Sequence, residues 1–163
     1  MIRALIVAGL VAGLGCAQEA PPVATFSVSG DLTSPLVLKA DDLAKMPRQT
    51  VSVLEHDGSK VEYEGVLLWE ILKRAGTPAD KQLRGKAMAS YLLAKANDGY
   101  QVVFTLAEMS PEFGNETIIL ADKRGGQPLS GNQGPLKLVV PGDKAGARSV
   151  RMVEAIEFVK LLK

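Results

Sequence analysis

The chain has 163 residues, a formal net charge of +1, and a composition that is 47% hydrophobic and 23% charged. This length and balance predict one compact domain whose core folds without metal or disulfide support. The near-neutral charge and an aromatic content of 5% argue against nucleic acid or an anionic membrane surface as the main partner.

The N-terminal segment differs in composition from the rest of the chain. A short basic start with Arg3 is followed by an apolar run over residues 4–14, which is too short to span a bilayer as a helix. We therefore predict a signal peptide over residues 1–17, a stiff linker over residues 18–23, and a single domain over residues 24–163. A periplasmic or secreted protein without a transmembrane segment follows. The alternatives are a lipoprotein anchored through Cys16 and an uncleaved interfacial anchor.

Strand patterns dominate the predicted domain. Asp57-Gly58 between two β-rich runs is a strong hairpin signal, and the longest helical pattern ends at Gly76. Residues 86–96 fit a helix by composition and a strand by the Asp98-Gly99 turn that follows. Strands are predicted over residues 24–29, 35–38, 50–54, 60–63, 100–106, 117–121, 136–140 and 150–158, and helices over residues 43–46 (capped by Asp41 or Asp42), 66–75 and 107–113. The pattern predicts an α+β fold with mostly antiparallel, mixed sheets and a few short helices.

Few residues are available for metal or nucleophilic chemistry. His56 is the single histidine and Cys16 the single cysteine, so the usual zinc sites are excluded. His56 lies at the edge of the predicted hairpin, where a turn histidine bonding the backbone is favoured over a catalytic base.

The C-terminal third combines glycines with basic residues. Backbone N–H groups of glycine loops and nearby cations together can build a site for phosphate or pyrophosphate. Ordinary turns and solvated strand faces are the alternative interpretation. The basic residues of this region are Lys123, Arg124, Lys137, Lys144, Arg148 and Arg151.

An ordered set of motifs resembles the oxidoreductase molybdopterin-binding domain family, the sulfite oxidase-like proteins. The segments that carry the resemblance are Tyr63 to Gly76, Asp98-Gly99-Tyr100, Gly126 to Leu129, Gly134 to Gly142 and Gly146 to Met152, in the family's order. The resemblance covers roughly residues 24–160. It implies the sulfite oxidase-type molybdopterin-binding fold, in a small exported single-domain member, with molybdopterin as the cofactor.

The resemblance also shows where this chain departs from the catalytic members. Their molybdenum-ligating cysteine follows the strand equivalent to residues 50–54, where this chain has Leu54, Glu55 and His56. Glu55 and His56 are thus the weak catalytic candidates, and no metal ligand is assigned. Gln133 replaces the family's histidine and Lys137 its arginine.

The phosphate-facing loop is better preserved than the metal-facing segment. Arg148 and Arg151 match the family's Gly-Ala-Arg loop, and we predict that they bind the cofactor phosphate with Lys137 and Lys144. The signal offers only Arg3, whereas loaded molybdenum enzymes are exported folded through twin-arginine signals.

Two functions follow from these observations. The first is an exported molybdopterin-binding-domain protein that resembles molybdenum oxidoreductases, with redox catalysis and metal loading made doubtful by the missing cysteine. The alternative is a non-catalytic periplasmic binding module that uses the same cleft for an anionic small molecule or an envelope protein partner.

Overall fold

The computed structural model describes residues 24–55 and 57–162. The strands of this part are β1 (Thr25–Gly30), β2 (Leu36–Lys39), β3 (Arg48–Leu54), β4 (Lys60–Leu67), β5 (Ser90–Ala96), β6 (Gln101–Phe104), β7 (Ile119–Arg124), β8 (Gln127–Pro128), β9 (Lys137–Val139) and β10 (Val153–Lys160). The helices are α1 (Ala40–Ala44), α2 (Leu68–Arg74) and α3 (Leu106–Met109), with 3₁₀ turns at Asp80–Gln82, Gly85–Met88, Gly131–Gln133 and Gly146–Arg148.

The strands form two sheets. The first has the order β2-β1-β10-β5-β6, in which only the β1–β10 pair is parallel. The second has the order β3-β4-β7-β8, with β9 also paired to β7, and its pairs are all antiparallel. This arrangement confirms the predicted α+β fold with mostly antiparallel pairing and short helices.

Two apolar clusters hold the sheets together. The larger cluster includes Phe26, Phe104 and Phe158 of the first sheet and the buried stripe of α2. Full burial of side chains of this size contributes about 1.5–3 kcal/mol each. The smaller cluster lies within the second sheet and includes Tyr63 and Leu129.

The predicted hairpin is confirmed, and the adjacent helix is shorter than predicted. Strands β3 and β4 pair in continuous register from Arg48↔Val66 to Leu54↔Lys60. The helix predicted over residues 66–75 begins only at Leu68. Val66 and Leu67 instead extend β4, because both pair with β7, and these pairings prevail over local helical preference.

The ambiguous segment over residues 86–96 divides between two structures. A 3₁₀ turn at Gly85–Met88 precedes β5, whose residues alternate strictly between buried and half-buried. This period of two is the burial pattern of a strand. The alternation overrides the helix-favouring Ala, Lys and Leu content.

Side-chain bonds to the backbone set the starts of the two shortest helices. Helix α1 begins at Ala40 rather than at residue 43, and Asp42 accepts a hydrogen bond from the Lys39 N–H at 3.0 Å. Thr105 and Glu108 form a reciprocal capping box at the start of α3. That helix ends at Met109, so the prediction over residues 107–113 was too long.

Several sequence predictions fall outside the described residues. The signal peptide, the linker and Cys16 lie in residues 1–23, and His56 is likewise outside them. Within the described part of the chain, no helix is both long and apolar enough to cross a membrane.

Candidate functional site

A cavity of about 960 Å³ lies where the two sheets meet. The backbone between β9 and the start of β10 forms this junction. The Leu138 N–H donates to the Val150 carbonyl at 2.8 Å, and the Val153 N–H donates to the Leu136 carbonyl at 3.1 Å. The cavity is lined by the end of β3, the Asp98 turn, β9 and the loop over residues 141–149, together with Arg151.

The junction places two cations opposite each other. Lys137 and Arg151 form an isolated antiparallel bridge, and both line the cavity. Side chains at such directly opposed positions are close neighbours, and like charges there are destabilising. An anion bound between them would remove this repulsion.

Lys137 is buried in the wall of the cavity with uncharged hydrogen-bond partners. Its residue exposure is 9%, and its Nζ donates to the Tyr63 hydroxyl at 3.0 Å and to Gln133 Oε1 at 3.2 Å. Burial lowers the pKa of Lys137, and Arg124 and Arg151 lower this pKa further, against an opposing effect of Glu55.

The hydrogen bonds continue from Tyr63 to Glu55. The Tyr63 hydroxyl donates to Glu55 Oε1 at 2.7 Å, and the Arg124 guanidinium lies 3.8 Å from the same carboxylate. Burial raises the pKa of Tyr63, and the bond to Glu55 raises it further. The result is a linear Lys137–Tyr63–Glu55 chain along one wall.

Two further cations reach the cavity from exposed positions. Lys144 and Arg151 are exposed, and neither forms an ion pair with any residue that the structure describes. The lining also contains three acidic residues, so its formal charges balance, and two of the three carboxylates lie beside an arginine. Asp143 binds Arg148, Glu55 binds Tyr63, and Asp98 accepts the Tyr100 N–H.

Arg148 occupies a different position from the other predicted ligand residues. It is absent from the cavity lining. Its guanidinium makes a two-point contact with Asp143 at 2.7 and 2.8 Å and binds Glu108 at 2.6 Å. It also lies 5.3 Å from the centre of the Phe104 ring. These bonds raise the pKa of Arg148 above its usual range.

The predicted site residues are thus only partly brought together. Lys137, Lys144, Arg151 and Glu55 line one cavity, whereas Arg148 supports the loop behind it. The site roles of these residues remain predictions from the sequence. His56 is outside the described residues.

The sequence analysis did not assign Tyr63 or Gln133 to the site. In the sequence, Tyr63 stands out only as the first residue of a segment that resembles the family. In the structure it is an inward-facing residue of β4 that is 1% exposed. Its contact with Lys137 joins positions 74 residues apart in the sequence, and no local sequence pattern predicts a contact over that separation. Gln133 was noted only as a replacement for the family's histidine.

The donor set beside β3 does not fit a thiolate-bound molybdenum. The side chain at the end of the strand is Leu54, which is 73% exposed, and the Glu55 carboxylate is held by Tyr63. The chain's single cysteine is Cys16, far from this segment in sequence. Among the described residues, no cluster of three or more histidine, cysteine, aspartate or glutamate side chains could hold a metal ion. Hard oxygen donors differ from the soft thiolate that such a centre uses.

Together, the fold and the cavity define a two-sheet α+β domain with a cleft lined by Lys137, Lys144 and Arg151. The family model described as "Oxidoreductase molybdopterin binding domain" matches residues 17–161. The chain therefore belongs to the oxidoreductase molybdopterin-binding domain family, as its motifs predict.

A solved structure shares this fold. The chain is similar to the sulfane dehydrogenase SoxCD from Paracoccus pantotrophus, with a TM-score of 0.64 and 22% sequence identity. The match covers 83% of this chain and 38% of that chain, so this protein spans well under half the length of its structural neighbour. A search of curated proteins found no match.

Proposed function

We propose that this protein is an exported member of the molybdopterin-binding domain family whose cleft binds an anionic small molecule. We propose further that it does not carry out redox turnover at a thiolate-bound molybdenum. The observation that carries the proposal is the convergence of Lys137, Lys144 and Arg151 on one cavity, where two of the three carboxylates of the lining already lie beside an arginine.

Electrostatics favour an anion over a neutral ligand. The cleft contains an opposed pair of cations, and a cavity of about 960 Å³ lies within the usual size range for small-molecule sites. Charge-assisted bonds to phosphate or carboxylate oxygens are roughly twice as strong as neutral ones. The phosphate of a pterin and a free phosphate compound share this chemistry.

Family membership is the specific observation that favours a second function. A molybdenum oxidoreductase would need a protein ligand near residues 54–56, and Glu55 and His56 are the available groups. The hydrogen bond from Tyr63 already occupies one Glu55 oxygen. We therefore rank the oxidoreductase function second, with an envelope protein partner in the cleft as a further alternative.

Pyrophosphate is a suitable probe for the proposed anion site. We expect pyrophosphate to raise the melting temperature of the protein, since a ligand at 100 times its Kd adds about 2.7 kcal/mol of stability. Arg151→Ala and Lys144→Ala should each weaken pyrophosphate binding by about tenfold, the effect of one lost charge-assisted bond. Titration calorimetry at fixed salt would measure both changes.

Lys123→Ala is the matched control for these variants. Lys123 is a basic residue of the same region, but it binds Glu64 at 3.2 Å and is absent from the cavity lining. Its removal should leave the pyrophosphate Kd unchanged. Equal weakening by all three substitutions would show that binding depends only on overall charge, and the site proposal would then be wrong.

A further inference from the structure

Lys137 is an unusual lysine because no carboxylate bonds to it directly. Buried lysines are almost always paired, yet its hydrogen-bond partners are the Tyr63 hydroxyl and the Gln133 side-chain oxygen. Among the described residues it forms no ion pair. The amine therefore lies in the cavity wall without a counter-ion.

Burial is the main effect that favours the neutral form of this amine, and two nearby cations add to it. Arg151 lies directly opposite Lys137, and Arg124 is a second nearby cation. Glu55 acts in the other direction, but Tyr63 lies between it and the amine. A buried lysine beside other cations is the arrangement that activates an amine as a nucleophile.

The Tyr63 hydroxyl is close enough to the Lys137 amine to transfer protons during a reaction. Tyr63 lies 3.0 Å from the Lys137 nitrogen and donates to Glu55 at 2.7 Å. A hydroxyl at this distance can exchange a proton with a group that reacts at the amine. Arg151 and Lys144 line the same cavity and can bind a negatively charged group of the ligand.

We propose that Lys137 forms an imine with a small carbonyl compound that carries an anionic group, a carboxylate or a phosphate held by Arg151 and Lys144. This inference rests on the proposed anion-binding function and names its ligand class. Lys137, Lys144 and Arg151 line one cavity, with Arg151 directly opposite Lys137, so we expect a single small molecule to contact the amine and a cation together.

The chemistry consumes no oxidant or reductant. The Lys137 nitrogen forms a bond to the carbonyl carbon, and the carbonyl π electrons move to oxygen, which takes up a proton. The nitrogen then loses its two protons and the carbon–oxygen bond breaks, which releases one water and leaves a carbon–nitrogen double bond. Tyr63 relays protons between the nitrogen and the departing hydroxyl.

Reductive trapping with glyoxylate tests this inference on the purified chain. Cyanoborohydride converts the imine to a stable carboxymethyl amine, which peptide mass spectrometry locates. We expect Lys137 to be labelled faster than Lys144, since a lowered pKa raises the fraction of neutral amine at a given pH. Phosphate should compete with glyoxylate for the cavity.

Matched variants separate the parts of the site. Arg151→Met should slow labelling of Lys137 by glyoxylate more than labelling by the uncharged aldehyde propanal, because Arg151 also lowers the pKa of Lys137. Tyr63→Phe should slow labelling of Lys137 by both reagents. Lys137→Met should remove the fast label, and the wild-type peptide map decides the question even if that variant does not fold.

Two outcomes would overturn the inference. One is equal labelling of Lys137 and Lys144 in the wild-type protein, and the other is fast labelling that persists in Lys137→Met. If pyrophosphate still binds in either case, only the imine inference fails. If wild-type protein binds no pyrophosphate, the proposed anion-binding function fails as well.

Discussion

Arg148 and Lys137 are both basic residues, but they lie in opposite surroundings. Arg148 has two carboxylate partners within 2.8 Å, whereas Lys137 has a hydroxyl and an amide oxygen. A cation with two carboxylates has no spare charge for a ligand. The geometry therefore favours a structural role for Arg148 and a ligand-facing role for Lys137.

We expect Arg148→Ala to destabilise the fold rather than the ligand complex. The substitution leaves Asp143 and Glu108 without their shared partner, and loss of partly buried bonds to charged groups costs about 2 kcal/mol. Urea denaturation at pH 7 should show this loss, while the pyrophosphate Kd stays near its wild-type value. A folded Arg148→Ala protein that no longer binds pyrophosphate would instead assign Arg148 to the ligand, as the sequence predicts.

The effect of this substitution should depend on pH. Arg148 lowers the pKa of Asp143 in the folded state, so the pair stabilises the fold above the usual aspartate pKa of about 3.9. Protonation of Asp143 removes that stabilisation as the pH falls through its lowered folded-state pKa. The free energy of unfolding should therefore differ most between wild type and Arg148→Ala at neutral pH, and this difference should shrink in strong acid.

Arg84→Ala is the control for the effect of removing an arginine. Arg84 is 70% exposed at its side chain and lies 4.0 Å from Glu112. Exposed pairs of this kind contribute little to stability. If Arg84→Ala lowered the free energy of unfolding as much as Arg148→Ala does, the partly buried pairing of Arg148 with two carboxylates would have no special effect on stability.

At the scale of elements, the pairing of β4 with β7 fixes the position of Tyr63. The register between these strands shifts between Glu64 and Gly65, directly after Tyr63. A β-carbon added at Gly65 would lie 2.1 Å from the Leu120 carbonyl oxygen. Only glycine permits this close approach of the two backbones.

We therefore expect Gly65→Ala to destabilise the protein strongly. The atoms that the added β-carbon would meet belong to the backbone and cannot move without breaking the sheet, and overpacking of this kind costs about 1–3 kcal/mol or more. Chemical denaturation would measure the loss. Gly146→Ala is the matched control, because an added β-carbon there meets no atom within 4 Å; equal losses in both variants would contradict this account.

The sequence predicts elements well where the signal is local. The β3–β4 hairpin follows from Asp57-Gly58 because a turn needs only adjacent residues. The start of α2 could not be predicted, because Val66 and Leu67 are held in β4 by partners on β7. Likewise, the sequence names Lys137 and Arg151, but their opposed placement arises from a bridge between distant segments.

At the scale of the whole molecule, the family fold and the cavity lining point to different chemistries. The family match covers residues 17–161, so the scaffold of a molybdopterin-binding domain is present. The cationic side of its cleft contains Lys137, Lys144 and Arg151. The segment where catalytic relatives carry cysteine ends instead in an exposed leucine and a hydrogen-bonded glutamate.

Protein isolated from its native source would test the proposed export together with the proposed lack of molybdenum. We expect molybdenum well below one atom per chain, because the cleft offers no soft ligand and export through an ordinary signal would unfold the chain. Elemental analysis would measure the metal, and sulfite and sulfoxide assays should show no turnover.

Intact mass of the same sample should correspond to a chain that begins at Gln18.

Other results would separate the export proposal from the chemical one. Acyl chains on Cys16 would make the protein a lipoprotein and leave the anion site unaffected. One molybdenum per chain, with turnover lost in Glu55→Ala or His56→Ala, would show that an oxygen or nitrogen donor replaces the thiolate. The cations of the cleft would then bind the cofactor itself, and the oxidoreductase function would replace the binding function proposed here.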